Sequence, residues 1–100
     1  MAGFLSNLFK LQDSVDFKVL LENGALLVDV RTREEYKSAH GKGSVNIPLD
    51  TIASSLSKFP MDKVIIVVCQ SGMRSKNAAS FLKSKGYKEV YNGGSWFNFQ

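Results

Sequence analysis

The sequence predicts an α/β domain in which a small parallel sheet of about five strands is flanked by helices on both faces. Short apolar runs alternate along the chain with segments of helical periodicity, which is the order expected of a parallel sheet. The run KVIIVV, residues 63–68, is rich in β-branched apolar residues, as is typical of a central strand covered on both sides. A length of 100 residues with 44% hydrophobic and 22% charged residues fits a single globular domain.

The first part of the chain is predicted to form a helix, a strand and a second helix. Residues 14–24 predict a short helix with Asp16 as its N-cap and a glycine as its stop. The apolar run at 25–30 predicts a strand. A brief helix over 32–38 follows, and Glu35 stands three positions after a threonine, which is the spacing of a capping box.

The second part continues this alternation. A loop with a short extended piece at 45–47 leads to a helix that begins at Asp50 or Thr51 and ends before Pro60. After the central strand come the loop CQSGMRS, residues 69–75, and a helix whose apolar face ends at Gly86. A final strand at 88–91 is followed by a glycine turn and an aromatic cluster.

We expect one domain over residues 14–100, preceded by an N-terminal extension over residues 1–13. The extension spaces Phe4, Leu5, Leu8, Phe9 and Leu11 as in an amphipathic helix, but it lacks the charged start and cleavage site of a secretion signal. No apolar run approaches the roughly 20 residues that span a bilayer. We therefore expect a cytoplasmic protein without a transmembrane segment.

The composition excludes several classes of site. One cysteine and one histidine form neither an internal disulfide nor a zinc centre, so no metal is expected. The formal charge of +4 is spread over isolated lysines and arginines, unlike the basic patch of a nucleic-acid-binding protein. This charge favours small anions as ligands.

Cys69 is the candidate reactive residue. It ends the most buried predicted strand, at the edge where open parallel sheets bind ligands. Backbone N–H groups from Gln70 to Ser75, the positive end of the following helix and Arg74 favour a thiolate there, and Gly72 permits a tight turn. The alternative is that the cysteine merely extends the apolar strand as a small buried residue. The polar residues that follow it favour the reactive thiol.

Four segments in the same order resemble signatures of the rhodanese family: LLVDVRTREEY (26–36), HGKGSVNIPL (40–49), VVCQSGMRSKNAA (67–79) and VYNGGSW (90–96). The resemblance implies that Cys69 accepts a sulfane sulfur from thiosulfate or a persulfide and passes the resulting persulfide sulfur to cyanide or a thiol, including a protein thiol. It implies no cofactor.

The resemblance also assigns roles to the loop residues. Gln70, Ser71, Gly72, Met73 and Arg74 would form the substrate-binding loop, with the guanidinium neutralising anionic donor oxygens.

Supporting roles are expected from Asp29 and Arg31, which match the family's DVR element and should anchor the strand end, and from Ser75. His40 matches a position whose role is chiefly structural. Many family members have a cation where this chain has Gln70, so we expect this chain to use dianionic thiosulfate less efficiently.

Two other functions remain open from the sequence. A phosphatase or arsenate reductase also uses a cysteine loop ending in arginine, but Cys69 and Arg74 enclose four residues, whereas phosphatase loops enclose five. A non-catalytic rhodanese-like binding or regulatory module is the other candidate, although such modules typically lack the active cysteine.

Overall fold

A computed structural model of the protein describes residues 15–100. Its centre is a parallel sheet with the strand order β2-β1-β3-β4. The strands are β1 (Leu26–Asp29), β2 (Val45–Asn46), β3 (Ile65–Cys69) and β4 (Val90–Ser95). The α/β class is confirmed, and residues 15–100 form four strands where about five were expected. This part of the chain contains only four extended runs, and its remaining segments form helices, turns and loops.

Helical segments cover both faces of the sheet, as predicted. The helices are α1 (Phe17–Glu22), α2 (Arg33–Ser38) and α3 (Met73–Ser84), and two 3₁₀ segments span Leu49–Lys58 and Trp96–Phe99. On one face, α3 and the first 3₁₀ segment pack over the side chains of Val28, Ile65 and Val67. On the other face, α1 and the second 3₁₀ segment pack over those of Leu27, Ile66 and Val68.

The α-helix predicted to begin at Asp50 or Thr51 is instead the first 3₁₀ segment, and its geometry is interrupted at Ser55, with φ −116° and ψ 18°. The Thr51 hydroxyl donates to the carbonyl of Pro48 at 2.9 Å, and the Ser54 hydroxyl donates to the carbonyl of Thr51 at 3.0 Å. These side-chain bonds compete with regular α-helical hydrogen bonding.

Strand β4 runs further than predicted, because the expected glycine turn is part of the strand. The register between β3 and β4 shifts between Val67 and Val68, which pair with Asn92 and Gly94 and leave Gly93 as a bulge. A Cβ at Gly93 would stand 2.9 Å from methyl groups of both Ile66 and Val68. Glycine therefore lets the strand pass close to β3.

The predicted starts of the first two helices are confirmed. The Asp16 carboxylate accepts from the Val19 N–H at 3.2 Å at the start of α1. Thr32 and Glu35 form the predicted capping box, with the Thr32 N–H donating to the Glu35 carboxylate at 3.0 Å. Within residues 15–100, no helix is long and apolar enough to cross a membrane. The predicted N-terminal extension lies outside the described residues.

Candidate active site

The loop after β3 curls around the sulfur of Cys69. The strand ends at this residue, and α3 begins at Met73, so the loop is shorter than the predicted 69–75 and its last three residues form the first helical turn. Gly72 precedes the helix with φ +101°, a left-handed conformation that favours glycine. A Cβ there would stand 3.4 Å from the Cα of Gly94. The glycine thus allows the sharp return of the chain into α3.

The sulfur of Cys69 has polar neighbours on its loop side. The backbone N–H groups of Gly72 and Ser75 donate to Sγ at 3.0 and 3.4 Å, and the Ser75 Oγ lies 3.5 Å away. Cys69 is only 1% exposed and belongs to the core beneath α3. Its surroundings nevertheless differ from an apolar core position, because converging N–H groups stabilise an anion. Gln70 and Ser71, which follow it in the loop, are exposed.

The pKa of the Cys69 thiol is shifted by opposing effects. Burial is the largest influence and raises this pKa. Hydrogen bonds from the Ser75 side chain and from the backbone of Ser75, Gly72 and Ser71 lower it, and together they outweigh burial. The pKa of the thiol is therefore below its ordinary value, and the fraction of reactive thiolate at neutral pH rises.

Asn92 in β4 supports the loop, a role that the sequence analysis did not identify. Its Oδ1 accepts from the Ser75 hydroxyl at 2.6 Å and from the Gly94 N–H at 3.0 Å, and its Nδ2 donates to the Gly72 carbonyl at 3.0 Å. Because the Ser75 proton points to Asn92, a neutral Cys69 thiol is the donor in the contact between Cys69 and Ser75. A thiolate accepts hydrogen bonds, so an ionised Cys69 competes with the Asn92 oxygen for the Ser75 proton.

Arg74 is held in place by a carboxylate from another element. Its two terminal nitrogens donate to the two carboxylate oxygens of Glu35 at 2.7 and 3.0 Å. Hydrogen bonds from Arg74, followed by that from the Thr32 backbone, lower the pKa of Glu35 to about 2. The same pair raises the pKa of Arg74. The sequence analysis foresaw only the capping role of Glu35, because the contact with Arg74 spans 39 positions in the chain.

Asp29 and Arg31 form a buried pair behind the start of the loop. The Arg31 Nε and Nη2 donate to the Asp29 carboxylate at distances of 2.8 to 3.1 Å, and Nη2 also donates to the Ala39 carbonyl at 2.7 Å. The guanidinium carbon lies 4.5 Å from the centre of the Trp96 ring. The Trp96 indole N–H in turn donates to the Gln70 side-chain oxygen at 3.1 Å. These contacts connect the pair to the first residue of the loop.

Met73 and His40 are the remaining residues that the sequence singled out. Met73 is 66% exposed at the start of α3. His40 stacks on Tyr36 with ring centroids 3.8 Å apart, and its Nδ1 lies 2.7 Å from the Tyr36 carbonyl. That nitrogen therefore carries the proton and donates it to the backbone, which is a structural contact.

A crevice of about 300 Å³ opens beside Arg74. It is lined by Val30, Thr32, Pro48, Leu49, Asp50 and Arg74. These residues follow β1, β2 and β3 in the chain, so the crevice lies at the same carboxyl edge of the sheet as Cys69.

A family model for the Rhodanese-like domain matches residues 13–100. The chain belongs to the rhodanese-like domain family. The cysteine loop at the carboxyl end of β3 and the parallel sheet described above are thus features of a rhodanese-like domain.

Individual proteins agree with this assignment. A thiosulfate sulfurtransferase GlpE of Pseudomonas savastanoi pv. phaseolicola is 39% identical over 75 residues, which cover 75% of this chain and 71% of the relative. The human single-domain sulfurtransferase TSTD1 has a similar structure, with a TM-score of 0.72, 28% identity, and coverage of 84% of this chain and 91% of the human chain. The chain is an enzyme of the rhodanese sulfurtransferase type.

A longer protein contains a similar domain. The reduced CoADR-RHD of Bacillus anthracis is 43% identical in sequence and superposes with a TM-score of 0.70. The match covers 83% of this chain but only 15% of that protein.

Proposed function

We propose that this rhodanese-like domain, over residues 14–100, transfers a sulfane sulfur from thiosulfate or a persulfide donor to cyanide or a thiol, through a persulfide on Cys69. The main support is the set of N–H groups from Gly72 and Ser75 that converge on Sγ at 3.0 and 3.4 Å. A group that stabilises a thiolate also stabilises the negative terminal sulfur of a persulfide. A reducing compartment such as the cytoplasm suits this thiol chemistry.

The proposed reaction has two displacement steps. The Cys69 thiolate attacks the outer sulfur of thiosulfate, the sulfur–sulfur bond breaks, and sulfite leaves with the electron pair. An organic persulfide gives the same enzyme persulfide and releases its thiolate. Cyanide then attacks the terminal sulfur, forms thiocyanate and returns the Cys69 thiolate. A thiol acceptor takes the sulfur as a new persulfide.

The residues of the loop and those that support it have different roles in this reaction. Backbone N–H groups of residues 70–75 hold the persulfide, and Arg74 orients the donor. Ser75 turns its hydroxyl toward the charged sulfur, and Asp29 and Arg31 hold the strand end from which the loop departs. The contacts of Ser75 with Sγ, and of Arg31 through Trp96 with Gln70, support the roles of Ser75 and of the Asp29–Arg31 pair.

Intact-mass spectrometry tests the proposal directly. We expect thiosulfate, cysteine persulfide or polysulfide to add one sulfur atom to the protein, and cyanide to remove it as thiocyanate. Cys69→Ser should stay folded and unmodified, since the hydroxyl fills nearly the same space. A wild-type protein that gains no sulfur from any of the three donors would overturn the proposal. Cys69-dependent turnover of para-nitrophenyl phosphate at a comparable rate would favour a phosphatase.

A further inference from the structure

The crevice beside Arg74 has an apolar wall and adjoins the reactive loop. Val30, Pro48 and Leu49 supply its apolar surface, and Leu49 also packs against the core on the α3 face. At about 300 Å³, it lies at the lower end of the size range of small-molecule sites. This space exceeds the need of an inorganic anion and suits a group the size of a phenyl ring.

The charges around the crevice do not favour a dianion. Arg74 is the only basic residue among those that line it, and both terminal nitrogens of Arg74 are bound by Glu35. The lining also includes the carboxylate of Asp50, which is exposed at the rim. The charge of Arg74 is thus balanced by Glu35 outside the lining, and Asp50 adds a negative charge to the lining itself. A donor with two negative charges meets net repulsion there, whereas a donor with one charge and an apolar group meets less.

We propose that this crevice binds the organic group of a monoanionic sulfane-sulfur donor, so that the enzyme favours thiosulfonates and organic persulfides over inorganic thiosulfate. This inference rests on the proposed sulfurtransferase function and adds the chemical class of the donor. The crevice holds the apolar group next to Arg74, and the sulfane sulfur extends toward Cys69. Leu49 and Asp50 are then specificity-determining residues.

Thiosulfonates are suitable donors for the test, because their apolar group can be changed while their single charge stays the same. The Cys69 thiolate attacks the outer sulfur of a thiosulfonate, the sulfur–sulfur bond breaks, and a sulfinate leaves with the electron pair. Total charge is conserved, and no oxidant, reductant or proton is required. Methanethiosulfonate and benzenethiosulfonate carry the same single charge and differ in apolar size, whereas thiosulfate carries two charges.

The first experiment measures kcat/KM for benzenethiosulfonate and methanethiosulfonate with cyanide as the acceptor. Leu49→Gln keeps a similar volume but makes the wall polar, and we expect it to lower the benzene-to-methane ratio about fivefold from the wild-type ratio. Leu56→Gln is the matched control, because Leu56 packs against the same core from the same 3₁₀ segment but does not line the crevice. Comparing ratios removes differences in donor reactivity. An unchanged ratio in a folded Leu49→Gln would overturn the proposal.

A second variant keeps the test decisive if Leu49→Gln does not fold. Asp50→Lys changes an exposed rim residue, and we expect it to raise kcat/KM for thiosulfate about threefold to tenfold relative to benzenethiosulfonate. Asp62→Lys, an exposed residue outside the crevice, should leave that relative value near the wild-type one. If Asp50→Lys and Asp62→Lys change kcat/KM for thiosulfate relative to benzenethiosulfonate by the same factor, the proposal is overturned. If no donor transfers sulfur to the wild-type protein, the proposed function fails instead.

Discussion

Two arginine–carboxylate pairs support opposite ends of the cysteine loop, and they differ in burial. Asp29 and Arg31 are 0% and 3% exposed, and they reach the start of the loop through the Trp96 ring. Glu35 and Arg74 are 34% and 35% exposed, and they fix the end of the loop at the first turn of α3. Both pairs are bidentate, so their geometry alone does not separate them.

The difference in burial assigns the two pairs different roles. A buried ion pair is costly to break, because removal of one partner leaves an uncompensated charge in the core. A half-exposed pair contributes little to stability, because water screens both charges. We therefore expect the first pair to hold the fold beneath the loop, and the second to determine how much positive charge the proposed site presents to a donor.

The largest effect is expected from Asp29→Asn. Among residues 15–100, this change leaves the buried Arg31 guanidinium with the Ala39 carbonyl, the Trp96 ring and a neutral amide as partners. We expect the free energy of unfolding to fall by about 3 kcal/mol or more. Urea denaturation of the variant and the wild type measures this loss. A loss below about 1 kcal/mol would show that the two pairs do not differ in the way that burial predicts.

Ser75→Ala should produce the next largest effect, and it tests a residue that belongs to neither pair but contacts the thiol. Removal of the hydroxyl deletes a hydrogen bond that lowers the pKa of Cys69. The pKa should therefore rise, and the rate of alkylation by iodoacetamide at neutral pH should fall about threefold to tenfold.

The pH profile of alkylation is the decisive measurement for this variant, since its midpoint should move to higher pH. Ser71→Ala is the matched control, because it keeps the backbone N–H and changes an exposed side chain in the same loop. Similar midpoints for Ser75→Ala and the wild type would mean that the backbone N–H groups alone lower the pKa of the thiol.

The sequence predicts local features of this site better than long-range ones. The capping box of Thr32 and Glu35 and the N-cap at Asp16 depend on residues three positions apart, and both are confirmed. The contacts of Glu35 with Arg74 and of Ser75 with Asn92 span 39 and 17 positions. They depend on the order of the strands, which periodicity does not encode.

The end of β4 is a second place where tertiary packing overrides a local sequence pattern. Two consecutive glycines are typical of a turn, so the sequence predicts that the strand ends at residue 91. The strand continues because Gly93 forms a bulge against Ile66 and Val68, a packing requirement set by β3. The same bulge brings Asn92 to the loop, so the incorrect strand boundary also concealed a site residue.

Glu35→Gln should change stability much less than Asp29→Asn. The pKa of Glu35 is lowered from 4.5 to about 2, so the ionised carboxylate stabilises the folded protein above pH 4.5 and loses this contribution as the pH falls toward 2. Because the pair is partly exposed, we expect a loss of about 1 kcal/mol or less at neutral pH.

Denaturation at several pH values tests this smaller effect. The difference in the free energy of unfolding between Glu35→Gln and the wild type should shrink as the pH falls from 4.5 toward 2. Added salt should also reduce it. Glu34→Gln serves as a control, since Glu34 is an exposed neighbour in the same helix. A difference that persists unchanged at the lowest pH would assign the effect to packing or capping rather than to charge.

Gln70→Lys should have an effect of about the same small size, and it tests the end of the loop that the buried pair supports. The change places a cation at a loop position where the chain has a neutral amide, and it should improve the use of thiosulfate more than that of an uncharged sulfur donor. Two charges about 4 Å apart interact by about 4 kcal/mol at an effective dielectric constant of about 20, but a hydrated, mobile lysine retains only about 1 kcal/mol of this. The expected rise in kcat/KM is therefore somewhat under tenfold.

The lysine also loses the hydrogen bond that the Gln70 oxygen accepts from Trp96. Gln70→Met is the matched control, because it loses the same bond without adding a charge, and the two variants should be compared at low ionic strength. Added salt should reduce the advantage of lysine over methionine, since screening weakens the attraction between the new cation and the dianion. If lysine and methionine give the same kcat/KM for thiosulfate, charge at position 70 does not govern donor choice, and the crevice beside Arg74 remains the determinant to test.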